Sequence, residues 1–170
     1  MDNNIYLIGF MGTGKSTVGK QMAEKLGWNH IDTDDVIEDK YKMSIPKVFE
    51  KFGEDSFRRL ENQVISDLSA KSRNIVSTGG GTPIYHGNID IMKDSGLVIH
   101  LETSTDILWK RLKGLGGRPI LKIYDTFEKF NRLYLDRKTV YDMADMIINI
   151  GERSVIQVVD ECIDRIFYQR

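Results

Sequence analysis

Residues 9–17 read Gly-Phe-Met-Gly-Thr-Gly-Lys-Ser-Thr, the spacing G-x-x-x-x-G-K-[ST], and this short stretch constrains the fold more than any other. It follows Ile5-Tyr6-Leu7-Ile8, an apolar run bounded by Asn3-Asn4 and Gly9 that reads as a buried strand. It precedes Lys15 to Leu26, where Val18, Met22 and Leu26 recur at four-residue spacing and Gly27 supplies a C-cap. Gly12 and Gly14 permit backbone conformations barred to other residues, so successive N–H groups can converge on a polyphosphate. The helix N-terminus adds partial positive charge. Lys15 brings a full charge to the β- and γ-phosphates, and the Ser16 hydroxyl is placed to ligate Mg²⁺. The candidate nucleotide ligands here are Gly12, Thr13, Gly14, Lys15, Ser16 and Thr17.

Further strands are predicted at Asn29–Ile31, Asn74–Ser77, Leu97–Leu101 and Met146–Ile150. Helical patterns lie between them at 34–41, 45–52, 56–70, 88–93, 104–112 and 126–144. A last helix over 154–168 puts Val155, Val158, Val159, Cys162, Ile163, Ile166 and Phe167 on one stripe, which makes Cys162 a core residue rather than a nucleophile. Strands alternating with helices argue for a parallel sheet covered on both faces. At 170 residues the chain suits a single domain. A net charge of −1 gives no reason to expect nucleic acid or anionic lipid as partner. Without an apolar run of membrane-spanning length, a leader pattern or a second cysteine, the expectation is a cytoplasmic protein lacking disulfides.

The phosphate loop alone does not choose between motor ATPases, GTPases and small kinases. There is no [NT]-K-x-D guanine-reading segment, and the strands at Asn74 and Leu97 do not end in an aspartate. A small kinase remains, with its magnesium-side carboxylate supplied from elsewhere. Asp32-Thr33-Asp34 follows the second strand; on extended chain its two carboxylates face the same way, one toward the metal and one toward an acceptor hydroxyl. An equal reading makes Asp34 the N-cap of the next helix, with Asp35 as its first-turn acid. Gly79-Gly80-Gly81 after the third strand is either a close approach of backbone to substrate or a plain turn. Arg58 and Arg137 are either solvated helical residues or a clamp on an anionic acceptor. Arg118, in the glycine-rich basic stretch 113–122, is either a surface residue or a lid cation closing over the nucleotide. His30, His86 and His100 have no metal-ligand spacing.

Taken together, the chain resembles the shikimate kinase family of nucleoside-monophosphate-kinase-like P-loop proteins. The resemblance rests on GFMGTGKST at 9–17, D-x-D at Asp32 and Asp34, F-R-x-x-E at Phe57, Arg58 and Glu61, and GGG at 79–81. It continues with R-P-I-L at Arg118 to Leu121 and R-x-x-x-Y at Arg137 and Tyr141. Ile120 departs from the usual R-P-L-L. The resemblance implies a three-layer α/β fold with a five-stranded parallel sheet of order 2-3-1-4-5. It also implies an acceptor region over about 32–61 and a mobile lid over about 112–124. It places Asp34, Arg58, Arg137 and the glycines 79–81 on the acceptor shikimate, and Asp32 with Ser16 in the magnesium shell. Lys15, Asp34 and Arg118 would carry catalysis, with Arg111 and Arg153 beside the adenine. The implied reaction is ATP plus shikimate giving ADP and 3-phosphoshikimate, by a monomer.

Overall fold

Five strands hydrogen-bond in parallel: β1 (Asn4–Ile8), β2 (Asn29–Asp32), β3 (Asn74–Ser77), β4 (Gly96–Glu102) and β5 (Met146–Asn149), in the order β2-β3-β1-β4-β5. This computed structural model describes residues 3–114 and 124–168. Within them the helices are α1 (Lys15–Leu26), α2 (Thr33–Tyr41), α3 (Ile45–Ser69), α4 (Asn88–Ser95), α5 (Thr105–Gly114), α6 (Phe127–Tyr141) and α7 (Val155–Phe167). The expected sheet order is the one observed. Arg118 and residues 115–123 of the expected lid lie outside the described residues, and 112–114 close α5.

The strand period of two sorts the core into two halves. Tyr6 and Ile8 of β1, with Val76 and Val98, pack against residues of α2, α3, α4 and α6 on one face. Ile5 and Leu7, with Ile75, Ile99, Leu101 and Ile148, pack against α1 and α7 on the other. Cys162 is fully buried in that second half, as its stripe predicts, and burial pushes its thiol up to about 12. α1 ends at Gly27 in a left-handed conformation, with the following Trp28 N–H bonded to the Ala23 carbonyl. α7 opens on a capping box between Ser154 and Gln157.

The separate helical patterns at 45–52 and 56–70 are observed: the span of α3 is two helices meeting in a kink at Gly53, whose φ of 78° and ψ of 168° are not helical. One local expectation is corrected. Asp34 is not a cap and does not sit on extended chain. β2 stops at Asp32, whose carboxylate accepts the Asp34 N–H at 3.1 Å and so caps α2 itself. The cap thus lies two residues before the expected one, and Asp34 joins Asp35 as a first-turn acid at the positive end of α2.

The order of strands decides where the loops meet. β3 lies between β2 and β1, with Ser77 opposite both Asp32 and Leu7. The loops after β1, β2 and β3 therefore emerge side by side at the carboxyl edge, where open α/β sheets bind ligands.

Candidate active site

Those three loops enclose a cleft of about 580 Å³ whose lining includes Gly12, Lys15, Ser16, Asp32, Asp34 and Gly80. The phosphate loop is built as its glycines require, with Gly12 and Gly14 both at positive φ (84° and 85°). Lys15 is buried, and its Nζ donates to the Gly9 and Phe10 carbonyls at 2.8 and 3.0 Å, which hold the ammonium over the loop. Burial lowers it to about 8, against the pull of Asp34 and Asp32. Ser16 donates to Asp32 Oδ2 at 2.6 Å. A hydroxyl and a carboxylate in contact at the mouth of a phosphate loop form the hard-oxygen pair that suits Mg²⁺. Asp32 therefore serves two ends at once, one oxygen toward Ser16 and the other toward the α2 cap.

Asp34 lies across the cleft from the phosphate loop. Burial, then the charges of Asp32 and Glu61, raise it to about 7 despite Lys15. A carboxylate so poised can take a proton from a hydroxyl near neutrality.

The triple-glycine segment is where both arginines arrive. A Cβ at Gly81 would stand 2.5 Å from Arg58 Nη1, so a side chain there would have to displace that guanidinium. At Gly80 a Cβ would stand 3.8 Å from Arg137 Nη1. The two guanidinium groups thus flank adjacent residues of one loop, although 79 positions separate them in the chain. Arg58 is buried, not solvated. Its Nη1 donates to Glu61 at 2.8 Å, its Nη2 to Glu54 at 3.0 Å, and it stacks over Tyr85 at 4.3 Å. Burial opposes its charge, but Glu61 and Glu54 outweigh that cost and hold it above its ordinary value. Arg137 is half-buried, with its guanidinium carbon 5.8 Å from the centre of the Phe10 ring.

On the other side of the phosphate loop, Arg111 and Arg153 border a smaller cavity of about 150 Å³ together with Thr13, Gly14 and Thr17. Arg111 Nη2 donates to the Gly151 carbonyl at 2.6 Å. Arg153 is exposed and bonds the Asn149 and Gln157 carbonyls and Glu161. Glu102, the acid that does end β4, is taken up by Lys138 at 3.1 Å and Tyr134 at 3.3 Å and is not part of the cleft lining. Among the described residues no group of three His, Cys, Asp or Glu side chains could hold a metal.

Sequence reasoning gave no role to Glu61, Thr33 or Tyr85. Glu61 stands three residues after Arg58, a spacing that pairs charges on a helix, and that was the available signal. Thr33, whose Oγ1 accepts the Gly79 N–H at 3.1 Å, and Tyr85 carry no signal short of the fold.

Comparison with known proteins settles the family. A family model described as shikimate kinase matches residues 11–167. A shikimate kinase of Sulfurihydrogenibium sp. (strain YO3AOP1) is 42% identical over 163 residues, spanning 96% of this chain and 97% of its own. This chain belongs to the shikimate kinase family. Its fold is similar to that of a shikimate kinase from Acinetobacter baumannii in complex with shikimate (TM-score 0.91, 32% identity, 99% of this chain and 94% of that one). It is similar also to a shikimate kinase from Aquifex aeolicus (TM-score 0.84, 35% identity, 94% of each chain). As a member of that family the chain is a kinase, and the cleft at the carboxyl edge of its sheet is the candidate active site.

Proposed function

We propose that this cleft runs the family's reaction, transfer of the γ-phosphoryl group of ATP to the 3-hydroxyl of shikimate, to give 3-phosphoshikimate on the way to aromatic amino acids. The observation that carries the acceptor assignment is the convergence of Arg58 and Arg137 on the Gly80–Gly81 segment, with the Asp34 carboxylate close against Gly79 beside it. Two guanidinium groups on one loop suit a carboxylate, and shikimate is a carboxylate bearing hydroxyls. Gly79, Gly80 and Gly81 bring backbone within reach of the same ligand.

On the nucleotide side, the N–H groups of Gly12, Thr13 and Gly14, with those of Lys15, Ser16 and Thr17 at the start of α1, bind the phosphates. Lys15 supplies charge to the transferring group, and Arg111 and Arg153 border the adenine. Arg118 adds a further cation at the phosphoryl group on the strength of the family resemblance. Ser16 and Asp32 would hold one Mg²⁺, which when bound neutralises charge on the β- and γ-phosphates. Asp34 accepts the hydrogen bond of the reacting hydroxyl, aims its oxygen at the γ-phosphorus in line with the departing ADP, and takes the proton as the new P–O bond forms. A loose transition state asks little more of the protein than position and charge. The protein acts as a cytoplasmic monomer of one domain, without nucleic acid or membrane; no described helix is long and apolar enough to cross a membrane.

The test is ADP release by purified protein with Mg²⁺-ATP, offered shikimate, gluconate or AMP in parallel. Turnover with shikimate alone is expected. Turnover with another acceptor would void the acceptor roles of Asp34, Arg58 and Arg137. Silence with all three, while ATP still binds, would leave a nucleotide-binding module.

A further inference from the structure

The triple-glycine loop has no side chains of its own to hold it, so its conformation depends on what its backbone groups touch. Gly79 N–H donates to Thr33 Oγ1 at 3.1 Å, and the Gly79 and Gly81 carbonyls accept the N–H groups of Thr82 and Ile84 at 3.1 and 3.0 Å. The Gly80 carbonyl is different. It accepts from the Tyr141 hydroxyl at 2.6 Å, from a helix on the far side of the loop. The Gly80 and Gly81 N–H groups have no partner among the described residues.

We propose that Tyr141 is a positioning residue for the acceptor: its hydroxyl fixes the plane of the Gly80–Gly81 peptide and ties it to the helix that carries Arg137. The peptide is planar and trans, so a carbonyl held from the α6 side turns the Gly81 N–H the opposite way, off Tyr141. Arg137 precedes Tyr141 by four residues, which puts both side chains on one face of α6. One helix thus sets the distance between a guanidinium and the backbone amides it must serve jointly. The phenol is held without play: its ring is fully buried and lies 5.2 Å, centre to centre, from His100. Burial pushes its hydroxyl up to about 12 against the opposing charge of Arg137, so it remains a donor at every working pH.

This inference rests on the acceptor reading above, and the test separates the two. In Tyr141→Phe only the hydroxyl is lost. The KM for shikimate is expected to rise about tenfold while kcat and the KM for ATP stay within about twofold, the mark of lost ground-state positioning on one side of the site. A lowered Tm with an unchanged shikimate KM would make Tyr141 a packing residue and overturn the proposal. A second reading needs no acceptor: the ¹H–¹⁵N resonances of Gly80 and Gly81 should shift in the variant while those of Gly12 and Gly14 do not. Should the wild type not phosphorylate shikimate, the acceptor reading fails and the glycine resonances alone decide; unmoved, they refute the role of Tyr141. If the variant does not fold, 3-fluorotyrosine at position 141 keeps the bond with a more acidic hydroxyl and must move the same two resonances.

Discussion

Asp34 shows how much of a residue's chemistry comes from its neighbours. In isolation it is one of many carboxylates; in the cleft, burial and the charges of Asp32 and Glu61 raise it to about 7. Replacing it with asparagine keeps the shape and removes the proton acceptor. Asp34→Asn should lower kcat on the order of 10²- to 10⁴-fold. ATP affinity, measured by calorimetry, should stay close to that of the wild type. A matching loss of nucleotide affinity would move Asp34 to the other side of the site. The same scale explains why Arg58 cannot be a surface residue. Its exposure is 8%, its partner Glu61 is 1% exposed, and a lone charge left in that place would be costly.

At the scale of elements, two features invite substitution. Gly53 interrupts α3 in a region of φ and ψ that side-chain-bearing residues avoid, yet nothing lies within 4 Å of where a Cβ would stand. Gly53→Ala should therefore cost about 1–3 kcal/mol through backbone strain alone, read from urea unfolding. A neutral result would mean that the two halves of α3 can realign. On β4, His100 is fully buried with neither ring nitrogen hydrogen-bonded. Burial lowers it from 6.5 to about 4, against Glu102 and Asp142, which favour its charge, and alongside Lys138 and Lys15, which do not. With the folded value below the unfolded one, its contribution is fully present above pH 6.5. It is lost as the pH falls toward 4, by about 3 kcal/mol at most. His100→Leu gives up no hydrogen bond and should flatten that part of the acid limb of the stability curve, followed by denaturation at several pH values. An identical limb in the variant would assign acid unfolding to the carboxylates.

For the molecule as a whole, ligand binding and stability are one equilibrium. Mg²⁺-ATP at 100 times its Kd stabilises by about 2.7 kcal/mol, which for a domain of this size raises Tm by roughly 5–11 °C. Lys15→Ala should erase most of that shift in a thermal melt while leaving the shift caused by shikimate. Loss of both shifts would show that the two halves of the cleft do not bind independently.

The chain by itself determined the elements whose causes are local. The phosphate loop follows from glycines that must take positive φ, α1 and α7 from their apolar spacing and caps, and the parallel sheet from apolar strands alternating with helices. Motif resemblance extended this to the strand order, and it nominated the residues proposed for the site. Other facts had to wait for the tertiary structure. Asp32 rather than Asp34 caps α2, Arg58 and Arg137 approach one loop, Thr33 and Tyr141 bond to that loop's backbone, and Tyr85 stacks on Arg58. The division has a physical reason. Capping, periodicity and backbone freedom act over a few residues and leave a pattern along the chain. The arrival of guanidinium groups from 58 and 137 at one loop, and of a hydroxyl at 141 at the carbonyl of 80, depends on β3 lying between β2 and β1 and on how α6 packs over the sheet.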